Sequence, residues 1–566
     1  MSRRSTRRRN RINYSQFGDD DAKDDSADSD VSLDGDISDS SVATDGGSDA
    51  SDRDDSVASI VSIPAKKPQE GITKIVRIDK STSLDMLFTQ QFGFDSALLA
   101  DRVHQREFWS PVLVNLPDPG TWPVLERPQT DLVLLPQTTF TARSTKEILH
   151  GRAIHLIDTQ LVSIEAGTAY NSTINTGYHV TDMSWTHIDT RHILAVSLLS
   201  DTERYAAVPS SAFERKLALG VIQLWSYEDT SMSLTLIAVV THNWGSAWNI
   251  KWRDSTLQCL CVFQDGNARV LDFDSLVSSN GITYQHLDTP SVTIESSMSL
   301  ISCACWNGPN EVVMGFDNGY VGLYSLHSLM FEMVVPCHSS YIIGINAAYP
   351  EYPRRVGVMS TDGQFSVLDL NSLAELKWKR YQSFGSPVEW SRHMHGFLWV
   401  EDSLNCRLGS LRNVHWGGLV SWHNGTLTAM SASPEHPLVL TGSIDGTIKT
   451  SNVVRKFLNK HDTGKQFRQV QLWQLKYDCD RDAYKFIGGF KPEEVRKRVG
   501  VTMNSVKGST TTSPMPVNTS EVLAMGNKQG VTACCWGHNG IYAAGMANGL
   551  IRICRLPDTR ASNLSE

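Results

Sequence analysis

Arginines are concentrated at the start of the chain, where their charge could bind phosphate. Residues 1–18 contain no acidic residue and six arginines, which are Arg3, Arg4, Arg7, Arg8, Arg9 and Arg11. Such a run neutralises nucleic-acid phosphates and releases counterions without reading base sequence. It is equally typical of a nuclear-import signal, and the two roles are compatible. We therefore predict phosphate contact, nuclear import or both for this basic tail.

A second basic stretch lies near the end of the chain. Residues 451–510 hold thirteen Lys and Arg against six acidic residues. The stretch QVQLWQLKY alternates like a strand at the outer edge of a sheet, so the loops beside it are the candidates for phosphate contact. The candidate residues are Arg455, Lys456, Lys460, Lys465, Arg468, Arg496, Lys497 and Arg498. A solvated loop without function is the alternative.

Motifs for catalysis are missing from the sequence. It has no phosphate-binding GxxxxGKS/T loop, HExxH, GxSxG, GxGxxG or kinase motif set. Asp462-Thr463-Gly464 matches an aspartic-protease triplet only in isolation, in a polar stretch. His393 and His395 could join a metal site, but no matching Cys or carboxylate set lies nearby. We expect no enzyme activity, no cofactor and no metal.

An acidic tract follows the basic tail. Residues 19–60 contain fifteen Asp against Lys23 and Arg53 and almost no large apolar side chain. Burial could not offset the entropy lost on ordering such a segment, so we predict disorder for it. Its charge could draw it onto the basic tail and weaken non-specific DNA binding.

The remaining composition suits a globular intracellular protein. No apolar run reaches the roughly 18 residues that span a bilayer, and none follows the basic start as in a secretory signal. We therefore expect an intracellular chain without a membrane role. All ten cysteines lie between Cys259 and Cys554 without a CxxC motif, and we expect reduced core residues, neither disulfide-bonded nor zinc-bound.

Residues 61–144 precede the repeats. A helix is predicted to begin at Asp95, with apolar residues at helical spacing as far as Phe108. Six prolines between Pro111 and Pro136 then exclude a continuous helix. This stretch is predicted to be an extended strap that packs along a neighbouring surface.

Seven repeated units make up residues 145–558. Each has a tight turn, mostly Asp-Gly or Asn-Gly, before a third strand of alternating apolar and polar residues. The third elements are GVIQLW from Gly220, DGNARVLDF from Asp265, NGYVGLYSL from Asn318, DGQFSVLDL from Asp362, DSLNCRLGSL from Asp402, DGTIKTSNV from Asp445 and NGLIRICRL from Asn548.

The spacing of these turns predicts the architecture. Five intervals are 40 to 53 residues, near the length of one four-stranded propeller blade, and the last is 103 residues. We predict an all-β fold, a seven-bladed β-propeller, with an insertion at about 453–529 between blades six and seven and a short tail at 559–566. Ring closure needs a strand from before the first blade, and we assign that role to Ile154–Ile164.

The pattern resembles a WD-repeat β-propeller. Histidines stand where blade-opening strands begin, namely His179, His242, His338 and His423, but no Trp-Asp dipeptide occurs. The usual His-to-Asp hydrogen-bond network is therefore expected to be incomplete, which leaves strand packing and ring closure as the main sources of stability.

The complete arrangement resembles one transcription-factor family. A basic start, an acidic tract, a proline-rich strap and degenerate blades such as HNWGSAWNIKW and SCACW are similar to the propeller subunit of transcription factor IIIC, in particular its fungal members. The resemblance implies a nuclear, non-enzymatic subunit that helps recognise the internal B-box promoter of tRNA genes for RNA polymerase III. The implied partners are the large B-box-binding subunit, a second propeller subunit and tRNA-gene DNA.

Two alternatives remain open at this stage. One is a nuclear WD-repeat scaffold of a chromatin-modifying or ribosome-biogenesis complex, which would use the same tail for import or RNA. The other is an enzyme with a site at the propeller mouth, where the opening strands offer mainly Cys, Ser, Ala and Trp.

Overall fold

Fifteen stretches of the chain are described by the structure, a computed structural model. They are residues 112–117, 140–144, 160–164, 168–170, 172–188, 191–199, 217, 219–228, 233–278, 281–378, 387–410, 417–454, 468–478, 483–494 and 529–556. All lie in the second of two units, Arg77–Glu566. The basic tail, the acidic tract and the helix predicted from Asp95 fall outside the described residues.

Seven β-sheets form a seven-bladed β-propeller, as the turn spacing predicts, and the first three strands of each blade pair in antiparallel fashion. Blades two to five keep four strands each. Blade two holds β9 (Ala247–Trp252), β10 (Gln258–Phe263), β11 (Ala268–Asp272) and β13 (Val292–Ile294); blade three β14 (Ile301–Trp306), β15 (Glu311–Phe316), β16 (Tyr320–Ser325) and β17 (Met330–Pro336); blade four β18 (Ile342–Ala347), β19 (Arg355–Ser360), β20 (Phe365–Asp369) and β21 (Glu375–Lys377); blade five β22 (Glu389–Ser391), β23 (Gly396–Glu401), β24 (Asn405–Ser410) and β25 (Gly417–Trp422).

Blades one, six and seven carry additional strands at their outer edges. Blade one holds β5 (His179–Ile188), β6 (Arg191–Leu199), β7 (Gly220–Glu228), β8 (Ser233–His242) and β12 (Thr283–His286); blade six β26 (Leu427–Ala432), β27 (Leu438–Ser443), β28 (Thr447–Asn452), β29 (Arg468–Asp478), β30 (Ala483–Glu494), β1 (Phe140–Ser144) and β2 (Gln160–Ile164); blade seven β31 (Val531–Trp536), β32 (Ile541–Met546), β33 (Leu550–Arg555), β4 (Thr173–Asn175) and β3 (Thr168–Tyr170). Helix α1 (Asp274–Val277) and a 3-10 turn (His538–Gly540) complete the described elements.

The tight turns produce the third strand of each blade. Gly319 and Gly446 have φ angles of +87° and +79°, a conformation that side chains with a Cβ rarely adopt. A Cβ at Gly446 would lie 2.3 Å from the carbonyl oxygen of Leu475, so close approach of the next strand also requires glycine. All seven predicted third elements are the third strands of their blades.

The ring closes through a strand other than the predicted one. The short strand β4 pairs with β33 and completes blade seven, whose first three strands come from the end of the described chain. The predicted segment Ile154–Ile164 is wrong for this role: its described part, β2, pairs with β1 on the outside of blade six. Alternation alone could not distinguish these two places, because both are outer strands with one apolar face.

Tryptophans at the ends of first strands tie adjacent blades together. The indole Nε1 of Trp252 donates to the Ser184 carbonyl oxygen at 2.9 Å, and Trp306 repeats this contact with Lys251 at 2.9 Å. Trp536 does the same across the junction of blades six and seven. Contacts between successive first strands run around the whole ring. These bonds give Trp252, Trp306 and Trp536 a structural role in the absence of a Trp-Asp dipeptide.

The histidine network survives in part. In blade six, His423 contacts the hydroxyls of Thr441 and Thr447 at 2.9 Å each, and Thr447 donates to Asp445. In blade four, His338 bonds Ser366 at 2.9 Å and lies 4.0 Å from Asp362. The described chain therefore keeps pieces of the expected network in individual blades.

Residues 112–117, which belong to the segment predicted to be a strap, pack on blade three. The backbone N–H of Val114 donates to Asn310 Oδ1 at 2.8 Å, and the buried Arg253 donates to the carbonyl oxygens of Val114 and Pro309. Leu116 packs against the core between blades two and three. A buried guanidinium that donates to two backbone and two side-chain amide oxygens fixes the strap at this place.

Nine cysteines lie in the described residues, and all nine are buried thiols without a disulfide, as predicted. In the described stretches, no helix has the length and apolar character needed to cross a membrane.

Candidate functional site

Only one of the fourteen predicted phosphate-contact residues lies in a described segment. Arg468 begins β29, where it pairs with Glu494 at the end of β30. The six arginines of the basic tail and the other seven residues of the second stretch fall outside the described residues. Within the second basic stretch, the structure describes residues 451–454 and the strands β29 and β30.

Strands β29 and β30 form a long hairpin on the outside of blade six. They have 11 and 12 residues and are the longest described strands. Because Arg468 pairs with Glu494, the chain enters β29 and leaves β30 at the same end of the hairpin. The first residue of β29 and the last residue of β30 thus lie side by side.

One face of blades three and four carries exposed leucines in an unfavourable conformation. Leu329 and Leu373 occupy the turns before the fourth strands, with φ angles of +53° and +58° and exposures of 50% and 49%. Left-handed backbone is costly for a residue with a branched apolar side chain, and glycine or asparagine would relieve it. The strap residues Val112 and Leu113 are exposed on the same face, because the turn at Asn310 lies at this end of blade three.

Charged side chains line the central channel, where the first strands of the blades meet. Asp182 of blade one accepts a hydrogen bond from the backbone N–H of Ile250 at 2.9 Å. Glu389 of blade five accepts one from Asn346 at 3.3 Å. Lys251 of blade two interacts electrostatically with both carboxylates, so the two carboxylates share one ammonium group.

Burial and mutual interaction shift the pKa of all three groups. Burial raises the pKa of Glu389 to about 7, although Lys251 opposes the change. Burial likewise raises the pKa of Asp182, against the effect of Lys251. For Lys251, burial disfavours the charged form, but the two carboxylates outweigh it and the pKa is raised. Asp182, Lys251 and Glu389 therefore form one coupled set of charges.

Removing the Glu389 charge is expected to change the pH dependence of stability. The folded-state pKa of about 7 exceeds the ordinary value of 4.5, so the folded state binds the proton more tightly and stability falls as pH rises through this window. Glu389→Gln should remove that contribution and raise the free energy of unfolding at pH 8 by about 1 to 3 kcal/mol. Urea denaturation at pH 5 to 8 measures it, with the exposed Glu295→Gln as control. Parallel curves for wild type and Glu389→Gln would contradict this account of the channel.

The histidines noted in the sequence do not converge on a common ligand. His395 bonds the carboxylate of Glu351 and packs against Trp390, and His393 is buried in the same turn. Asp462 of the isolated triplet lies outside the described residues.

Comparisons with known proteins point to transcription factors. No profile of a known protein family matches the chain. It is 24% identical over 340 residues to the transcription factor tau 91 kDa subunit of Saccharomyces cerevisiae, which covers 56% of the chain and 50% of that protein. It is 24% identical over 399 residues to transcription factor tau subunit sfc6 of Schizosaccharomyces pombe, which covers 67% of the chain and 64% of that protein. The chain thus matches between half and two thirds of the length of these curated relatives.

Proposed function

We propose, on the basis of this similarity to two yeast tau subunits, that the chain is a non-enzymatic subunit of transcription factor IIIC. It would act with RNA polymerase III at tRNA genes and help recognise the internal B-box promoter. The observation that carries the proposal is the agreement of two relatives with the same named role, each matched over more than half of this chain. A nuclear location follows from that role.

In this proposal the propeller provides the surfaces that bind partner subunits. Its partners would be the large B-box-binding subunit and a second propeller subunit. Leu329 and Leu373 support such a role, because an exposed apolar side chain in a strained turn contributes nothing to the folding of a free monomer. The charges of Asp182, Lys251 and Glu389 interact with one another, which is in keeping with a non-enzymatic role.

The basic segments would contact DNA phosphates beside the bases read by the large subunit. The hairpin geometry supports this for the second stretch, since the chain enters β29 and leaves β30 at one end of the hairpin. Clustered cations at one point bind a phosphate backbone more strongly than the same charges spread over the ring. The basic tail would add a second, sequence-independent contact.

Neutralising the basic tail is expected to weaken DNA binding equally for all sequences. Replacing Arg7, Arg8, Arg9 and Arg11 with Ala should reduce the slope of log affinity against log salt by about 3 to 4, as expected for four lost phosphate contacts. Binding of duplex DNA at several salt concentrations measures the slope, with Arg53→Ala in the acidic tract as control. An unchanged slope would exclude phosphate contact and leave import as the role of the tail.

Purification of the tagged full-length chain from nuclei, followed by mass spectrometry, tests complex membership. The proposal predicts recovery of a large DNA-binding subunit and a second propeller protein. Recovery of histone-modifying enzymes or pre-ribosomal particles would overturn it in favour of another nuclear scaffold.

A further inference from the structure

A group of metal-binding side chains lies at the junction of blades three and four. Cys337 and His338 follow β17, and Glu375 begins β21. The Cys337 thiol donates to Glu375 Oε1 at 3.3 Å and lies 3.3 Å from the Ser366 hydroxyl, which in turn bonds His338 Nε2 at 2.9 Å. The ligand atoms of Cys337, His338 and Glu375 all lie within 4.8 Å of one another, and among the described residues this is the group that meets such a distance limit.

In blade six, the positions that correspond to Cys337, His338 and Ser366 hold residues with structural contacts. Trp422 and His423 there correspond to Cys337 and His338, because each pair stands at the point where the fourth strand of the preceding blade ends. Lys449 lies three residues after the turn glycine, as Ser366 does in blade four. Lys449 Nζ donates to the Trp422 carbonyl oxygen at 3.0 Å, and Gln469 Nε2 donates to the same oxygen at 2.8 Å.

Blade four replaces those groups with zinc-compatible donors. Glu375 pairs with Leu368, which lies two residues after Ser366. In blade six, Val470 pairs with Thr450, one residue after Lys449. Gln469, next to Val470, therefore occupies the position that corresponds to Glu375. A thiol, a hydroxyl and a carboxylate thus replace an indole, an ammonium and an amide. The structural contact to the backbone is kept by another residue, because Lys377 Nζ donates to the Cys337 carbonyl oxygen at 3.1 Å.

The charges around the site also suit a divalent cation. A Cys337 thiolate and the Glu375 carboxylate balance the two charges of Zn²⁺. Asp362 lies 4.0 Å from His338 Nδ1, on the far side of the ring from Ser366, in the place where carboxylates orient zinc-bound histidines. Lys377 Nζ lies 3.0 Å from Glu375 Oε2, so one positive charge stands beside three negative ones when Cys337 is a thiolate. In blade six the Lys449 ammonium stands at the position of Ser366 itself, where the fourth ligand would bind.

We propose that Cys337, His338 and Glu375 bind one Zn²⁺, with the Ser366 hydroxyl or a water as fourth ligand. A thiolate, an imidazole and a carboxylate form a donor set typical of zinc, and tetrahedral coordination requires four such donors. On binding, Cys337 releases its thiol proton to solvent, and the sulfur lone pair that remains coordinates the metal. The ion fastens the loop after blade three to the outer strand of blade four. This site departs from the sequence prediction that no cysteine is a zinc ligand.

Metal analysis of the untagged full-length protein tests the proposal. After treatment with a chelator and reconstitution with zinc chloride, wild type should retain about one zinc per chain. Glu375→Gln and Ser366→Lys copy the side-chain types of blade six, so both should fold while losing zinc affinity by at least about tenfold. Cys305→Ser is the matched control, since serine occupies the same position of the first strand in blades one and six as Ser184 and Ser431.

Cobalt substitution identifies the ligand sphere independently. Co²⁺-loaded wild type should show a thiolate-to-cobalt charge-transfer band that is absent in Cys337→Ser and present in the Cys305→Ser control. Thermal melting of each apo-protein separates metal loss from misfolding. Wild type without stoichiometric zinc, or zinc and the cobalt band retained in folded Glu375→Gln and Cys337→Ser, would overturn the proposal and leave a hydrogen-bonded cluster.

Discussion

Replacing Ile174 with aspartate is expected to open the propeller ring and abolish cooperative folding. Ile174 lies in β4, pairs with Ile551 of β33, and is completely buried in the core shared by blades seven and one. Losing a buried isoleucine costs about 2 to 5 kcal/mol, and an unpaired buried charge adds several more. The total approaches the whole stability of a typical domain, about 5 to 15 kcal/mol.

Size-exclusion chromatography and urea denaturation followed by tryptophan fluorescence measure this effect. The exposed Ile282 offers a matched control, and Ile282→Asp should leave the transition within about 0.5 kcal/mol of wild type. A native-like transition for Ile174→Asp would show that β4 does not close the ring.

Replacing Lys251 with methionine is expected to cost about 2 to 4 kcal/mol of unfolding free energy at pH 8. Removing one member of a buried charge cluster leaves the others uncompensated, typically at 3 to 5 kcal/mol, and partial water access in the channel reduces this. Asp182 and Glu389 would lose their shared cation. This loss of unfolding free energy should become smaller as pH falls, because the raised pKa values of both carboxyl groups let the folded state take up protons.

A double-mutant cycle separates this effect from lost packing. Glu389→Gln in the Lys251→Met background should recover part of the stability, and Lys476→Met, an exposed lysine of β29, should be close to neutral. If the stability lost in Lys251→Met does not depend on pH and is not partly recovered by Glu389→Gln, electrostatic coupling across the channel is ruled out.

The parts of the fold that sequence predicted are those determined locally. An Asp-Gly turn followed by alternating residues specifies a third strand by itself, as at Gly319 and Gly446, so the blade count followed from the turns. Ring closure is a long-range pairing: Ile174 meets Ile551, and nothing local distinguishes TIN from the longer segment that ends at Ile164. Sequence separation, more than residue type, made this contact unpredictable.

In the candidate sites, too, local features were predictable from the sequence and long-range contacts were not. Clusters of arginine and lysine are visible in the sequence, and Arg468, which is predicted to lie in the loop before the strand QVQLWQLKY, is the first residue of that strand. Asp182, Lys251 and Glu389 stand in three separate first strands, and only the ring brings their charges together. Isolated charged residues in otherwise apolar first strands, as in HVTDMSW and WNIKW, were the available signal. Cys337 and Glu375 likewise meet only through the pairing of β20 with β21.

Genome-wide occupancy of the tagged full-length chain tests the central claim most directly. Crosslinking, immunoprecipitation and sequencing of the attached DNA should show enrichment at tRNA genes, centred on their internal promoters. Occupancy spread over other gene classes, with tRNA genes at background, would contradict a role in transcription factor IIIC.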